Sequence, residues 1–447
     1  MSRSDALLTD LYQLNMLAAY LDHGLTDTAV FELFVRKLPP HRGFLMAAGL
    51  EQAVDYLESL AFTEDDIRRL RRLGGFPERL LGFLGELRFT GDLDALPEGT
   101  VFFPDEPVLR VAAPLPQAQL VETRLINLVH FQTVVTSKAA RLVLAAQGKP
   151  LIDFGLRRAH GAEAGLLAAR ASYVAGFAGT ATLAAGIDFG IPVKGTMAHS
   201  FIQAHDDETA AFENFARSRP RDLVLLIDTY DTERAAERVV KLAPKLARDG
   251  IAISGVRIDS GDLGEQARRV RAILDRGGLR HVTIVASGGL DEDQILALRD
   301  APIDAFGVGT ALTTASDAPA LDCAYKLQEY AGRPRRKRSE GKATWPGRKQ
   351  VWRSVGAEGE FAGDIVALAE ERHGGEPLLQ PVMRNGRRVQ PAPALDAVGA
   401  YARDQLAHLP AALRRLDPFR YPVAIAAGLR DLALALDRAE ASGAEGS

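Results

Sequence analysis

The middle of the chain repeats one pattern, in which a short apolar run is followed by a longer segment with apolar residues at helical spacing. The short runs predict buried strands, and the longer segments predict amphipathic helices. Such an alternation with short connections requires a parallel sheet with right-handed crossovers. The predicted strands are PLIDFG (150–155), IPVKGT (191–196), DLVLLIDTYD (222–231), IAISGVRIDSGD (251–262), VTIVASGG (282–289) and DAFGVGT (304–310). The uninterrupted series favours an irregular (β/α) barrel over residues 119–334, with an open parallel sheet as the alternative.

The two ends of the chain have mixed patterns, which predict a second domain of the α+β class. Residues 10–23 have apolar positions at helical spacing, residues 28–38 alternate partly like a strand, and residues 395–437 are mostly helical in pattern. Asn385 and Gly386 stand between two short extended runs, which is a strong signal for a β-hairpin.

Composition and charge narrow the class of protein. The chain has 447 residues, of which 47% are hydrophobic and 25% charged, as in ordinary globular proteins. Its net charge of −4 argues against a nucleic-acid-binding protein. Cys323 is the single cysteine, so an intrachain disulfide or a cysteine-rich metal site is excluded. We find no signal-peptide pattern and no apolar run long enough to span a membrane, and therefore expect a soluble cytoplasmic protein without a membrane or nucleic-acid partner.

Small and polar residues collect where each predicted strand ends. In a parallel barrel these carboxyl ends meet at one mouth, where active sites lie. A turn or a helix cap would explain any one of these motifs alone, but the whole series favours an active site. The motifs are DFGLRR (153–158), GTMAH (195–199), IDTYD (227–231), RIDSGD (257–262), ASGG (286–289) and GVGT (307–310).

The last two strand ends are glycine-rich loops that predict phosphate binding. Glycines let a ligand approach the backbone closely, and late barrel loops often present N–H groups to a phosphate. Ser287 and Thr310 add hydroxyl donors to these loops. The alternative is two tight turns, and neither loop has a known nucleotide-binding pattern.

Charged residues at the other strand ends predict a site for an anionic substrate and a divalent cation. Asp228 and Asp259 could hold Mg²⁺ or its waters, since Asp231 and Asp262 are better placed to cap the following helices. Fixed positive charge at the same mouth comes from Arg157, Arg158 and Arg257. Compensation of Arg257 by Asp259 is the alternative explanation for that arginine.

Residues 333–350 form a dense basic run, RPRRKRSEGKATWPGRKQ. Such a run is usually a solvated loop, and it can also be an address signal or a nucleic-acid patch. The acidic net charge and the embedded glycines favour a loop that reaches a small anionic ligand, with Lys342 as its candidate contact.

Together these motifs resemble the nicotinate phosphoribosyltransferases, a family of type II phosphoribosyltransferases, over nearly the whole chain. The resemblance implies an α/β-barrel domain (119–334) and an open-faced α+β sandwich (1–118 with 335–447), paired in a homodimer with shared active sites. It also implies an ATP-dependent ligase of NAD salvage, which forms nicotinate mononucleotide and pyrophosphate from nicotinate and phosphoribosyl pyrophosphate. The motifs are TDLYQLNM (9–16), FELFVRK (31–37), DFGLRRAHG (153–161), GTMAHSF (195–201), RIDSGDL (257–263), FGVGT (306–310), SEGKATWPGRKQVWR (339–353) and EPLLQPVMR (376–384).

The resemblance also implies roles for individual residues of the matching motifs. His199 resembles the histidine that ATP phosphorylates, and with Asp259 and Arg257 it forms the expected catalytic group. The expected nicotinate contacts are Thr196, Arg257 and, from the partner subunit, Tyr12. The expected phosphoribosyl contacts are Gly288, Gly289, Gly309, Thr310 and, from the partner subunit, Arg36. Asp228 and Asp259 resemble the acids associated with Mg²⁺.

Two alternatives remain open at the level of the sequence. A relative on the same fold could use nicotinamide or quinolinate, although the GTMAHSF motif and the arginines favour nicotinate. A binding or sensor protein without turnover is the alternative from another class, and the intact Asp228, Asp259 and His199 argue against it.

Overall fold

A computed structural model describes residues 5–444 of the chain, and side chains up to residue 439. Its contacts divide the chain into two units, the first made of Met1–Ser137 with Asp317–Ser447 and the second of Lys138–Ser316. The first division falls inside a long helix, Glu122–Ala146. The domain boundaries expected from the sequence were residues 119 and 335.

The N-terminal part of the chain begins with a short 3-10 helix and then alternates helices with short strands. The helices are α1 (Leu11–Asp22), α2 (Leu50–Ser59), α3 (Glu64–Leu73), α4 (Glu78–Glu86), α5 (Leu115–Leu120) and α6 (Glu122–Ala146). The strands are β1 (Thr28–Val35), β2 (Leu45–Met46), β3 (Asp92–Ala95), β4 (Val101–Phe102) and β5 (Pro107–Pro114).

The second unit continues with alternating strands and helices, and a 3-10 helix (Leu156–Arg158) follows its first strand. The strands are β6 (Leu151–Asp153), β7 (Gly179–Thr180), β8 (Leu223–Leu226), β9 (Ile253–Ile258), β10 (Thr283–Ser287) and β11 (Ala305–Val308). The helices are α7 (Ala162–Val174), α8 (Leu183–Phe189), α9 (His199–Gln203), α10 (Glu208–Ser218), α11 (Thr232–Arg248), α12 (Leu263–Arg276), α13 (Glu292–Ala297) and α14 (Thr310–Thr314).

The C-terminal part completes the first unit. Its strands are β12 (Cys323–Tyr330), β13 (Arg333–Pro334), β14 (Lys349–Val355), β15 (Phe361–Leu368), β16 (Glu376–Pro377), β17 (Gln380–Arg384), β18 (Arg387–Arg388) and β19 (Val423–Ile425). Its helices are α15 (Leu395–Ala407), α16 (Ala411–Arg414) and α17 (Ala427–Ala444).

The second unit is built on one parallel sheet in the order β7-β6-β11-β10-β9-β8. Its two outer strands, β7 and β8, do not pair with each other, so the sheet is a curled half-barrel. Apolar residues of its strands are buried, as a parallel sheet covered by helices requires. The predicted α/β class with an irregular barrel is confirmed.

The prediction of a strand at IPVKGT (191–196) is wrong. Val193 forms one isolated bridge with Thr180 of β7. The outer strand next to β6 is β7, and not residues 191–196. Pro192 has no N–H to donate to a sheet ladder, so it offers only its carbonyl oxygen, which accepts from the N–H of Thr180 at 3.0 Å. The segment therefore enters the site as a loop.

The first unit has a mainly antiparallel sheet in the order β13-β12-β1-β5-β3-β17-β18 and a smaller sheet in the order β16-β14-β15-β19. With the helices of its two chain segments it forms an α+β unit, and this part of the predicted fold class is also confirmed. The predicted Asn-Gly hairpin joins β17 to β18, with φ of 51° at Asn385 and 74° at Gly386. These positive values are those of a type I′ turn.

The core of the first unit contains a fully buried charge cluster. Arg353 binds Asp364 through Nε at 3.0 Å and Nη2 at 2.5 Å, and its Nη1 donates to the carbonyl of Val101 at 2.8 Å. The guanidinium lies 4.4 Å from the centre of the Phe361 ring. Glu106 is completely buried beside this pair, and burial and the charge of Asp364 raise its pKa well above the usual range.

Candidate active site

The carboxyl ends of β8, β9 and β10 bring two aspartates and a serine together. Asp228 lies just beyond β8, Asp259 directly follows β9, and Ser287 ends β10. The main-chain N–H of Asp259 donates to Oδ2 of Asp228 at 2.8 Å, and the hydroxyl of Ser260 donates to the same oxygen at 2.7 Å. Oδ1 of Asp228 is buried and has no hydrogen-bond partner among the described residues, so one acceptor of this carboxylate is left for a ligand.

The neighbouring aspartates cap helices, as predicted. Asp231 accepts from the main-chain N–H of Arg234 at the start of α11, and Asp262 accepts from that of Glu265 at the start of α12, both at 2.9 Å. Capping is therefore assigned to these two residues, and Asp228 and Asp259 are available for other roles.

His199 begins α9 and lies between two polar groups. Its Nδ1 is hydrogen-bonded to the hydroxyl of Thr229 at 3.1 Å, and its Nε2 is 3.9 Å from Oδ2 of Asp259. The other oxygen of Asp259 accepts from the hydroxyl of Ser287. The side chain of His199 is 40% exposed, so a solvent-borne ligand can reach it.

Arg257 is a mostly buried cation in β9 with unused hydrogen-bonding capacity. Its Nη2 donates to the carbonyl of Met197 at 2.8 Å, and its Nε is buried with no partner in the part of the chain that the structure describes. Burial lowers the pKa of Arg257, the charges of Asp259 and Asp228 oppose that effect, and Arg157 adds to it. A group held this way gains most from an anion that supplies the missing negative charge.

Thr196 and Arg157 lie in the loops around this arginine. Thr196 is half-buried next to Met197, and its hydroxyl is 3.4 Å from the Met197 carbonyl oxygen. Arg157 is exposed in the 3-10 helix that follows β6. The single hydroxyl proton of Thr196 makes only this long contact among the described residues, and the guanidinium of Arg157 is open to solvent.

The glycine-rich loops differ in what they offer to a ligand. Gly288 has φ of 97°, and a Cβ there would lie 1.9 Å from the carbonyl oxygen of Asp259, so only glycine fits. Gly289 has φ of 65° and open space around it. Gly309 packs against the carbonyl of Phe154, and Thr310 is exposed at the start of α14. Gly288, Gly289 and Thr310 are exposed, whereas Gly309 is half-buried.

Three of the predicted contacts belong to the first unit. Tyr12 is 46% exposed, with its hydroxyl 3.4 Å from Oε2 of Glu122. Burial, and then the charges of Glu122 and Asp10, raise the pKa of Tyr12. Arg36 donates to Asp322 at 2.9 Å, and its buried Nε has no partner within residues 5–439. Lys342 is exposed.

The basic run 333–350 contains structural ion pairs. Arg336 binds Asp437 at 2.6 Å, and Arg348 binds Glu329 at 2.9 Å. The fully buried carboxylate of Glu32 accepts from the main-chain N–H of Lys349 at 2.9 Å and lies 2.8 Å from its Nζ. These cations stabilise the first unit, whereas the role of Lys342 as a ligand contact stays a prediction.

Comparison with known proteins assigns the chain to a family. Models of the nicotinate phosphoribosyltransferase N-terminal domain, the family's main region and its C-terminal domain match residues 7–130, 150–335 and 372–433. The chain belongs to the nicotinate phosphoribosyltransferase family. The resemblance found in the sequence is thereby confirmed.

Curated members of the nicotinate phosphoribosyltransferase family match over most of the chain. Nicotinate phosphoribosyltransferase pncB2 of Mycobacterium tuberculosis is 52% identical over 425 residues, which cover 94% of this chain and 91% of that protein. Nicotinate phosphoribosyltransferase of Bacillus subtilis is 39% identical, with 82% of this chain and 77% of that protein covered.

Solved structures agree with this family assignment. The crystal structure of human nicotinic acid phosphoribosyltransferase has a TM-score of 0.86 at 31% identity, covering 96% of this chain and 99% of that chain. That of nicotinate-nucleotide pyrophosphorylase from Pyrococcus furiosus has a TM-score of 0.74 at 25% identity, covering 94% and 99%.

Four polar residues near the carboxyl ends of the parallel strands were not predicted as site residues. Thr229 contacts His199, and Ser260 contacts Asp228. Asp153 accepts from the hydroxyl of Thr180 and from the N–H of Gly155, both at 2.7 Å. Burial raises the pKa of Asp153, and these two hydrogen bonds oppose that rise. Thr229 and Ser260 directly follow strand-end aspartates in the sequence, which was the available signal.

Two findings bear on metals and membranes. Among the described residues, no group of three or more His, Cys, Asp or Glu side chains lies close enough to hold a metal ion. Within the same range, no helix is long and apolar enough to cross a membrane.

Proposed function

We propose that this protein transfers the phosphoribosyl group of phosphoribosyl pyrophosphate to nicotinate and couples the transfer to ATP hydrolysis through a phosphohistidine at His199. The observation that carries the proposal is the cluster of His199, Asp228, Arg257 and Asp259 at the carboxyl ends of one parallel sheet, in a chain of this family. The cluster combines a nucleophilic imidazole, two carboxylates and a cation with a free donor.

The reaction requires the protein mainly to position the two substrates and to neutralise the charge of the pyrophosphate leaving group. The ring nitrogen of nicotinate forms a bond to the anomeric carbon, the bond from that carbon to pyrophosphate breaks, and the electron pair leaves with pyrophosphate. A pyridine nitrogen carries its own lone pair, so His199 is not required as a general base. The gain in rate comes from orientation and from donors aimed at the leaving group.

Recognition of nicotinate is assigned to Arg257 and Thr196. The unpartnered Nε of Arg257 and the half-buried hydroxyl of Thr196 are donors suited to a carboxylate. The phosphoribosyl group is assigned to Arg157 and to the accessible glycine loops that contain Gly289, Gly309 and Thr310.

ATP coupling is assigned to His199. In this step a ring nitrogen bonds the γ-phosphorus, the bond to the bridging oxygen breaks, and ADP leaves with the electron pair. Hydrolysis of the phosphohistidine later releases phosphate. While it is present, the added phosphoryl group carries about −1.5 to −2 charges. We expect this charge to rearrange the nearby arginines and so tighten the binding of phosphoribosyl pyrophosphate.

Asp228 and Asp259 suit Mg²⁺. Mg²⁺ prefers hard oxygen ligands and keeps several waters or substrate phosphates, so one or two carboxylates are sufficient. The buried, unpartnered Oδ1 of Asp228 is an acceptor of the required kind. When bound, the ion would neutralise charge on the phosphates.

We also propose a homodimer in which Tyr12 and Arg36 of the partner subunit complete each site. The ring of Tyr12 is exposed, so it can pack against a ligand. The Nε of Arg36 has no partner among the described residues, so it can donate a hydrogen bond to one. Mixing Tyr12→Ala subunits with His199→Ala subunits should restore ATP-stimulated activity, because hybrid dimers contain one intact site. Mixtures that exchange subunits without regaining ATP-stimulated activity would contradict the shared site.

The central experiment measures pyrophosphate release from phosphoribosyl pyrophosphate, with and without ATP, for nicotinate, nicotinamide and quinolinate separately. We expect release with nicotinate and a faster rate with ATP. No release with any substrate would overturn the proposed function, and release with nicotinamide or quinolinate alone would change its substrate.

His199→Ala tests the coupling. We expect it to abolish ATP stimulation and the acid-labile phosphoenzyme, while slow ATP-independent synthesis remains. A variant that keeps both ATP stimulation and the phosphoenzyme would exclude His199 as the phosphoryl acceptor.

A further inference from the structure

Ser287 faces the protein interior, although the sequence suggested a phosphate contact. The residue is 2% exposed, and its hydroxyl donates to Oδ1 of Asp259. The pairing of β9 with β10 sets Ala286 opposite Ile258, so Ser287 and Asp259 are the next residues along two neighbouring strands. A serine hydroxyl has one proton to donate, and this contact uses it.

Asp259 is fixed from three directions. Its N–H donates to Asp228 at 2.8 Å, and its carbonyl oxygen lies so close to Gly288 that a Cβ there would be 1.9 Å away. Ser287 holds one carboxylate oxygen, which leaves Oδ2 facing Nε2 of His199 at 3.9 Å. Without Ser287 the carboxylate could rotate about its Cβ–Cγ bond, because no other hydrogen bond to it is seen among the described residues.

We infer that Ser287 is a positioning residue that fixes the carboxylate of Asp259 toward His199, and that its hydroxyl is not a phosphate ligand. A carboxylate at this distance favours one orientation of the imidazole ring and stabilises positive charge on it. The inference rests on the proposed function, in which His199 accepts a phosphoryl group. It assigns Ser287 to the ATP half-reaction and leaves phosphate recognition to the exposed loop residues.

The test measures the rate of phosphoenzyme formation from radiolabelled ATP with Mg²⁺, in the absence of nicotinate and phosphoribosyl pyrophosphate. We expect Ser287→Ala to lower this rate about tenfold, as is typical when a supporting hydrogen bond is removed. The matched control is Ser254→Ala, the same change at an exposed position of β9, which should have no effect. If Ser287 contacted only the phosphoribosyl group, Ser287→Ala would not change the rate of phosphoenzyme formation, because phosphoribosyl pyrophosphate is absent from this assay.

A double-mutant cycle separates positioning from direct contact with ATP. If Ser287 acts through Asp259, Ser287→Ala should have no further effect in an Asp259→Asn background. Additive losses would overturn the inference. So would an unchanged rate of phosphoenzyme formation in Ser287→Ala.

Further controls cover folding and the proposed function itself. Ser287→Cys replaces Ser287→Ala in the test if the alanine variant folds poorly. Cysteine has a volume similar to that of serine but is a weak hydrogen-bond donor, so Ser287→Cys should also slow phosphoenzyme formation. NMR signals of the His199 imidazole, recorded without ligands, should shift in the Ser287 variants and not in Ser254→Ala. Unshifted signals would overturn the inference. A wild-type protein without a phosphoenzyme would contradict ATP coupling, and the NMR comparison would still decide the role of Ser287.

Discussion

Two arginines, the buried Arg353 in the first unit and the mostly buried Arg257 in the second, have opposite surroundings. Arg353 in the first unit binds Asp364 through two nitrogens, donates to a main-chain carbonyl and lies on an aromatic ring. Arg257 in the second unit has one carbonyl acceptor and a buried Nε without a partner. Both belong to motifs on which the resemblance to the family rests.

The pKa values of the two arginines show what this difference means. Burial lowers the pKa of Arg353, but the hydrogen bonds and charge of Asp364 outweigh that effect, and the net shift is upward. Burial also lowers the pKa of Arg257, and there the carboxylates do not compensate, so the net shift is downward. Arg353 is neutralised within the fold, whereas Arg257 keeps part of its charge uncompensated, as the ligand role proposed for it requires.

The largest effect is expected from Arg353→Met. This change leaves Asp364 and Glu106 buried without their cation, and breaking such a pair costs about 3–5 kcal/mol. The free energy of unfolding, measured with urea, should fall by that amount. Arg348→Met is the control, since its pair with Glu329 is at the surface and worth less than about 1 kcal/mol. Equal losses in both variants would contradict the comparison.

Arg257→Met should affect substrate binding and leave stability almost unchanged, the opposite of Arg353→Met. Its free energy of unfolding should change little, because no paired carboxylate is left behind. The KM for nicotinate should rise about 10- to 100-fold, as a charged hydrogen bond contributes roughly 1.5–3 kcal/mol. Steady-state kinetics and urea unfolding measure the two quantities, with the exposed Arg299→Met as control. A destabilised protein with an unchanged KM would place Arg257 in the structural class.

Glu106→Gln tests the protonation of the buried cluster. Since burial raises the pKa of Glu106, the folded protein keeps this proton at a pH where the unfolded chain has released it. Wild-type stability should therefore fall as pH rises above about 4, by about 1.4 kcal/mol per unit while Glu106 stays protonated. In Glu106→Gln this part of the pH dependence of the free energy of unfolding should be absent. Urea unfolding from pH 4 to 7 measures the difference, and the exposed Glu64→Gln should behave like wild type.

Thr229→Val should have the smallest effect. It removes the hydroxyl hydrogen-bonded to Nδ1 of His199, a neutral contact worth about 1 kcal/mol. Phosphoenzyme formation should slow by roughly fivefold, with unfolding almost unchanged. A loss as large as that of His199→Ala would show that Thr229 does more than orient the ring.

Local patterns in the sequence predicted much of the second unit. Helix caps depend on neighbours a few residues away, so Asp231 and Asp262 were correctly separated from Asp228 and Asp259. The strand at 191–196 was predicted wrongly. An apolar run that contains a proline can lie beside a sheet and form a single isolated bridge with it, without a ladder of hydrogen bonds. The direction of the Ser287 side chain depends on the register of two strands, which the sequence pattern does not specify.

The charge cluster of the first unit was not predicted, because its members are far apart in the chain. Arg353 and Glu106 are separated by the entire second unit. Arg353 appeared only in the SEGKATWPGRKQVWR motif of the resemblance, without a predicted role. Arg353 lies two residues after the buried Val351 on the same face of β14, which was the available signal for burial.

The buried pair of Glu32 and Lys349 has a consequence for how the chain is made. The two residues are 317 positions apart. At roughly 5–20 residues per second, the ribosome adds the lysine on the order of tens of seconds after the glutamate. During that interval β1 lacks both this cation and its neighbour β12, whereas the second unit is one continuous segment. Protease treatment of stalled nascent chains should therefore find residues 138–316 protected while β1 is still cleaved, so the chain's first strand is among the last to reach its final partners.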